Sequence, residues 1–296
     1  MKDTIVTAIY YTPYTSRIGG RGYTFEYYAN PFRNLLSLNM NIVVYTHLSE
    51  YDKIIKFFRE NNFGDYKVIN YDLNNYAFSD KIYQIKEDRH IINANGLIPG
   101  NAHILNDRNT HLCLSKMDFL KMTIDGSYFG SVNYYWMDAG LFHNGLFPTS
   151  LGGMERFLKP DLKKFWPKNS KNLCKPDLIA KLKGERKLLF LGLTNPQAIP
   201  PWWNKLHSSE LKSMHIVGGV FGGAKDEVLK LCAMFGDLVM EVMGLNELTL
   251  EEDILTMLVL NNKLDYLTFD TWYHDVPTDS CYVNVGNQKS FYKLFI

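Results

Sequence analysis

Asn133-Tyr134-Tyr135-Trp136-Met137-Asp138-Ala139-Gly140 is an apolar run that ends in an acid followed by small residues. As a strand, it puts Asp138 at the carboxyl edge of a sheet, where open α/β folds bind ligands. A carboxylate there can hold a hard divalent cation whose other positions are filled by diphosphate oxygens. The same residue can instead close an Asx-turn at the strand end. Both readings stand on the sequence.

His215-Ile216-Val217-Gly218-Gly219-Val220-Phe221-Gly222-Gly223 places two glycine pairs around Val220 and Phe221. The spacing predicts a strand over 214–217, a glycine loop over Gly218, Gly219, Phe221, Gly222 and Gly223, and then a helix. Glycines let a backbone approach a ligand closely. A tight strand-to-helix connection without a ligand is the plainer alternative. The third glycine of the dinucleotide fingerprint does not fall where that pattern needs it.

Thr249-Leu250-Glu251-Glu252-Asp253-Ile254-Leu255 opens an amphipathic helix. Thr249 with Glu252 has capping-box spacing, and acids in a first turn suit the helix dipole. One of these acids can also serve as a general base for a hydroxyl. Further on, Trp272-Tyr273-His274-Asp275 offers an imidazole beside an acid. His274 is a candidate metal ligand suited to Mn²⁺ more than Mg²⁺, or simply a hydrogen-bonded histidine.

The elements that position these residues alternate. Strands are predicted over 5–10, 41–46, 66–70, 132–137, 187–193, 214–217 and 281–285. Helices are predicted over 25–36, 51–60, 112–124, 225–235 and 250–260. The stretch 72–108 breaks the pattern and reads as an excursion with short helices. Near-continuous apolar strands such as Ile42-Val43-Val44 belong to buried parallel sheets. The expectation is one α/β domain over 1–296 with a mostly parallel sheet flanked by helices.

Composition narrows the function classes. The chain has 32 Lys+Arg against 31 Asp+Glu, so it carries no charge footprint for duplex nucleic acid. Its 19 Tyr and 18 Phe serve packing first, and stacking on sugars or bases second. Cys113, Cys174, Cys232 and Cys281 show no metal or redox spacing and read as free thiols. The start carries Asp3 and no apolar core of a signal peptide. No segment has the apolar length of a membrane span. The expected location is therefore cytoplasmic. Abundant Asn, Lys and Tyr point to an AT-rich bacterial or viral genome.

An acid ending a strand, a glycine-rich segment, an acidic helix start and a late histidine occur in that order. This order resembles the GT-A class of nucleotide-sugar glycosyltransferases, with their DxD motif, G-loop, xED motif and C-terminal histidine. More narrowly the chain looks like the bacterial HtrL/YibB (WlaTC-like) family. The resemblance runs through Gly22-Tyr23-Thr24-Phe25-Glu26-Tyr27-Tyr28 with Asn34-Leu35-Leu36-Ser37-Leu38, Ser115-Lys116-Met117-Asp118-Phe119-Leu120, Tyr135 to Gly140, Gly218 to Gly223 and Glu251 to Thr256.

The resemblance implies a single GT-A-like, Rossmann-type domain, nucleotide-binding in its N-terminal half and acceptor-binding in its C-terminal half. It implies sugar transfer from a nucleotide-diphosphate sugar, such as a UDP-sugar, to a hydroxyl, assisted by Mn²⁺ or Mg²⁺. Asp138 aligns with the last acid of DxD, and Trp136 stands where the first acid would be. His274 aligns with the late metal or diphosphate ligand. Asp253, with Glu252 beside it, aligns with the base of inverting members. Arg21 and Lys116 are candidate diphosphate contacts, and Gly19, Gly20 and Gly22 lie in a loop able to close over the donor.

Acceptors left open are a glycan, a lipid-linked sugar or a modified nucleic-acid base, as in a phage-type hydroxymethylpyrimidine glycosyltransferase. Two other classes also remain: a catalytically inactive nucleotide-sugar-binding protein, and a nucleotidyltransferase or phosphohydrolase. Fold resemblance by itself fixes no substrate.

Overall fold

A computed structural model describes residues 2–10, 25–36, 40–88, 107–139, 188–193, 202–206, 215–260 and 266–271. Its strands are β1 (Thr4–Ile9), β2 (Asn41–Thr46), β3 (Tyr66–Asn70), β4 (Asn133–Met137), β5 (Leu188–Leu193), β6 (His215–Ala224) and β7 (Tyr266–Thr271). Its helices are α1 (Phe25–Leu36), α2 (Leu48–Glu60), α3 (Ser79–Asp88), α4 (Asp107–Gly126), α5 (Trp203–Leu206), α6 (Lys225–Gly244) and α7 (Glu251–Leu260), with one 3₁₀ turn at Leu73–Asn75.

The strands form one sheet in the order β3-β2-β1-β4-β6-β5-β7. All pairings are parallel except those of β6, which runs antiparallel to both β4 and β5. The expected α/β architecture, a mostly parallel sheet flanked by helices, is thus observed. β2 turns out to be buried along its whole length, as its apolar run requires.

Strand alternation divides the core between the two faces of the sheet. Ile5, Ile9, Ile42, Val44, Tyr135 and Met137 pack with Phe25, Phe32 and Leu35 of α1 and Ile54, Phe57 and Phe58 of α2. Val6, Ala8, Val43, Tyr45, Tyr134 and Trp136 pack on the other face with α3, α4, α6 and α7. There the rings of Tyr45 and Phe119 stack with centroids 4.3 Å apart. Trp136 and Phe221 continue that stack at 6.2 and 6.4 Å. Phe119 on α4 therefore sits between β2 and β4, so the helix carrying Lys116 is held rigidly against the sheet.

Several boundaries differ from expectation. α6 continues to Gly244 because Leu238, Val239, Val242 and Met243 extend its buried stripe. β7 was not anticipated; the mixed polarity of Tyr266-Leu267-Thr268-Phe269-Asp270 gives little local signal. The excursion after Asp72 contains the 3₁₀ turn and α3. The strand expected over 281–285 lies outside the described residues. Among the described residues, no helix is long and apolar enough to cross a membrane.

The largest correction concerns the glycine segment. Gly218 to Gly223 do not form a loop after a strand; they are the body of β6. The register explains this. Phe190 of β5 pairs with Phe221, but the next residue, Leu191, pairs with Val217. Gly218, Gly219 and Val220 therefore bulge away from β5 while Val220 still pairs with Met137 of β4. Bulges of this kind bend a strand and redirect its groups, often beside functional sites.

Candidate functional site

β4 supplies the first pair of residues. Positions two apart on a strand share a face, so Trp136 and Asp138 lie side by side. The Trp136 indole Nε1–H donates to Asp138 Oδ1 at 2.7 Å. The Asp138 backbone N–H donates to Gly219 O at 2.9 Å, which ties the strand end to the bulge. The Asp138 side chain remains 40% exposed, whereas those of Lys116 and Glu251 are nearly enclosed.

α4 brings Lys116 to the same place. Its ammonium lies 3.0 Å from Asp138 Oδ1, 2.6 Å from Glu251 Oε1 and 2.9 Å from Gly218 O. Two of these contacts are hydrogen bonds, to Glu251 Oε1 and Gly218 O, and the third is an ion pair with Asp138. The same nitrogen sits 5.4 Å from the centroid of the Trp136 ring, within cation–π range. Burial opposes the charge on Lys116, but Asp138 and then Glu251 outweigh it and hold the lysine protonated well above its ordinary range.

α7 contributes the acids. Glu251 is buried, and its Oε2 has no hydrogen-bond partner among the described residues. Burial pushes its carboxyl above the usual range; Lys116 opposes that shift, while Glu252 and Asp138 add to it. Cys113, one turn before Lys116, belongs to the same cluster, and burial followed by the Glu251 charge drives its thiol well upward.

The bulge of β6 is built to fit these side chains. A Cβ on Gly218 would run into the Glu251 carboxyl, meeting its Cγ at 2.7 Å and its Cδ at 2.8 Å. Gly218 also gives both backbone groups to the cluster: its carbonyl accepts from Lys116, and its N–H donates to Glu252 Oε1 at 2.9 Å. Thr256 clamps the helix to the strand, accepting from Ile216 N at 2.8 Å and donating to Glu252 O at 2.7 Å. Gly222, at φ +149°, has no room for a side chain: a Cβ would strike the Tyr134 carbonyl and approach Tyr135 Cα to 2.6 Å.

The structure brings together Asp138, Lys116, Gly218, Gly219 and Glu252 from the expected residues. Asp253 stands partly buried in the first turn of the same helix. Phe221 is a buried core ring, and Gly222 and Gly223 pair with β4 beyond the bulge. Gly19, Gly20, Arg21, Gly22 and His274 lie outside the described residues. The capping box takes a different form: the Thr249 hydroxyl donates to Leu250 O at 3.3 Å, and Glu252 reaches the Gly218 N–H. Lys116, expected to touch a diphosphate, donates to Gly218 O and Glu251 Oε1 and is ion-paired with Asp138 inside the protein.

Two members of the cluster were not singled out in the sequence. Glu251 was one of three consecutive acids, and only its contact with Lys116 distinguishes it from Glu252 and Asp253. Cys113 carried no spacing signal. Its position three residues before Lys116 on one helix was the available clue.

The expected divalent cation was to be held by Asp138 with His274, and His274 lies outside the described residues. Asp138 and Glu251, the two carboxylates that do meet here, do not by themselves fit one. The Lys116 ammonium stands between the two carboxylates, and Asp138 Oδ1 is shared with an indole N–H. Among the described residues, no three His, Cys, Asp or Glu side chains are grouped so as to hold a metal.

No family model matches the chain, and no curated protein matches it. Among solved structures, a 4-diphosphocytidyl-2C-methyl-D-erythritol synthase from Anaerococcus prevotii aligns over 99% of this chain and 98% of its own, at 8% identity and TM-score 0.39. The inositol-1-phosphate CTP transferase of T. maritima aligns over 100% and 95%, at 13% identity and TM-score 0.40. Likenesses this distant carry no statement about reaction or substrate.

Proposed function

We propose that the chain is a glycosyltransferase that moves a sugar from a nucleotide-diphosphate donor, such as a UDP-sugar, to a hydroxyl acceptor. The observation that carries this reading is the convergence of Asp138, Lys116 and the acidic start of α7 beyond the carboxyl end of β4. In the order β3-β2-β1-β4, that end lies beside β1, where strand order reverses and open α/β sheets bind their ligands. The motif order that resembles GT-A enzymes supplies the class of reaction.

Each residue then has a chemical task. Lys116 offsets the charges of Asp138 and Glu251, so the cluster repels an incoming diphosphate less than two bare carboxylates would. In an inverting transfer, Asp253 takes the acceptor's hydroxyl proton as that oxygen bonds to the anomeric carbon. The bond from that carbon to the diphosphate oxygen breaks, and its electron pair leaves on the nucleoside diphosphate. Asp253 is preferred to Glu252 because it is the acid that aligns with the base of inverting members in the GT-A resemblance. Arg21 and the segment 19–22 are the proposed diphosphate contacts, because Lys116 is buried and paired with Asp138 and Glu251.

Thermal unfolding with UDP and with a panel of nucleotide sugars tests the reading, because a ligand that binds only the folded chain must raise Tm. The expected result is a rise of several degrees with at least one donor, accompanied by slow release of nucleoside diphosphate. No shift with any nucleotide defeats the donor premise. Release of pyrophosphate in its place would mean nucleotidyl transfer.

A further inference from the structure

We infer that Lys116 is the resident cation of this centre, occupying the position between Asp138 and Glu251 that a divalent metal ion would take. The inference concerns the same site as the proposed transfer but does not depend on the identity of the donor.

Three independent features support it. First, the Lys116 nitrogen has oxygen neighbours from two carboxylates and one carbonyl, at 2.6, 3.0 and 2.9 Å. Carboxylate and carbonyl oxygens are also what Mg²⁺ prefers, at about 2.1 Å. The separations seen here are those of two hydrogen bonds and an ion pair, far longer than metal–oxygen bonds. Second, Trp136 lines the cluster where a second strand acid would add a ligand. It offers a π face to the ammonium at 5.4 Å and an N–H to Asp138. An aromatic face favours an organic cation, and an N–H pointing at the ligand oxygen opposes a metal there. Third, Glu251 keeps a buried, unpartnered oxygen beside the ammonium. That oxygen is a latent ligand, available once Lys116 is removed.

The consequence is that the wild-type chain needs no divalent ion to hold Asp138 and Glu251 together, and a shorter neutral residue at 116 converts the pair into a metal site. Lys116→Ala opens the volume of the side chain and leaves two acids without a counter-charge, which attracts a small cation strongly.

Mn²⁺ titration without nucleotide, read by loss of the free-ion electron paramagnetic resonance signal, tests this directly. Up to about 1 mM, the weak end of protein cation sites, wild-type chain should show no binding that Asp138→Asn or Glu251→Gln removes. Lys116→Ala should gain one Mn²⁺ per chain, bound at least about tenfold more tightly than any ion on wild type. Adding Glu251→Gln to that variant should abolish the gain. If Lys116→Ala does not fold, Lys116→Gln keeps a neutral hydrogen-bonding group, and Mn²⁺ should raise its Tm but not that of wild type. Wild-type binding of one Mn²⁺ that is lost in both Asp138→Asn and Glu251→Gln would overturn the inference. So would a folded position-116 variant that gains no ion. Because no nucleotide is present, a failure of the donor premise leaves this result unchanged, and the reverse also holds.

Discussion

Lys116 Nζ lies 2.6 Å from Glu251 Oε1, joining the middle of α4 to the first turn of α7 across 135 residues of sequence. Both side chains are buried, so the pair was desolvated on folding and repays that cost only while it is intact. Lys116→Met would strand two acids and should destabilise the fold by about 3–5 kcal/mol. Replacing both partners, as in Lys116→Met with Glu251→Met, should recover much of that loss. Urea unfolding of the two single variants and the double variant gives the coupling. A Lys116→Met chain as stable as wild type would mean that the contact contributes nothing.

Gly218 and Gly222 should respond differently to alanine. At Gly218 the new Cβ meets a carboxyl group that can rotate only by leaving Lys116. At Gly222 it meets the backbone of β4, and φ is +149°. Overpacking of this type costs about 1–3 kcal/mol. Gly222→Ala should therefore lower stability by at least that much, while Gly218→Ala should also reduce turnover by displacing Glu251. Melting curves beside transfer assays separate the two; equal activity in Gly218→Ala and wild type would contradict the role of the bulge.

The raised carboxyl of Glu251 predicts a pH slope. Its folded-state value lies above the ordinary 4.5, so between those values the native chain binds more protons than the unfolded chain. Stability then falls as pH rises through that window. Asp118, also pushed up by burial, acts in the same direction. Glu251→Gln should flatten the fall from about pH 4.5 upward, and Asp118→Asn should remove part of what remains. Stability measured from pH 4 to 8 with unchanged slope in Glu251→Gln would show that its carboxyl titrates normally.

The two acids after Glu251 should separate in catalysis. Asp253→Asn should cut transfer by about two to four orders of magnitude with little change in Tm. Glu252→Gln retains an oxygen acceptor for the Gly218 N–H and should keep most activity. Transfer and donor hydrolysis assayed together decide this. The reverse ranking would make Glu252 the base, and normal activity in both would remove this cluster from proton transfer.

Local order was legible in the chain because it depends on short-range periodicity. Ile42-Val43-Val44 announced a buried strand, Ile54 and Phe58 a helix face, and Met137-Asp138 a strand end carrying an acid. Those signals lie within one or two turns of backbone, where neighbouring residues dictate one another's conformation. The strand order, the antiparallel course of β6 and the service of Gly218-Gly219 as a bulge were not legible. Glycine's local preference is for turns, and only the close packing of Tyr134 and Glu251 against Gly222 and Gly218 makes extended glycines necessary. The charge arrangement was hidden for the same reason. Asp138 read as a metal ligand from its own segment, and Lys116 as a diphosphate contact only through the resemblance. Their meeting beneath Glu251 depends on how α4 and α7 pack across one face of the sheet, and no local propensity encodes that packing.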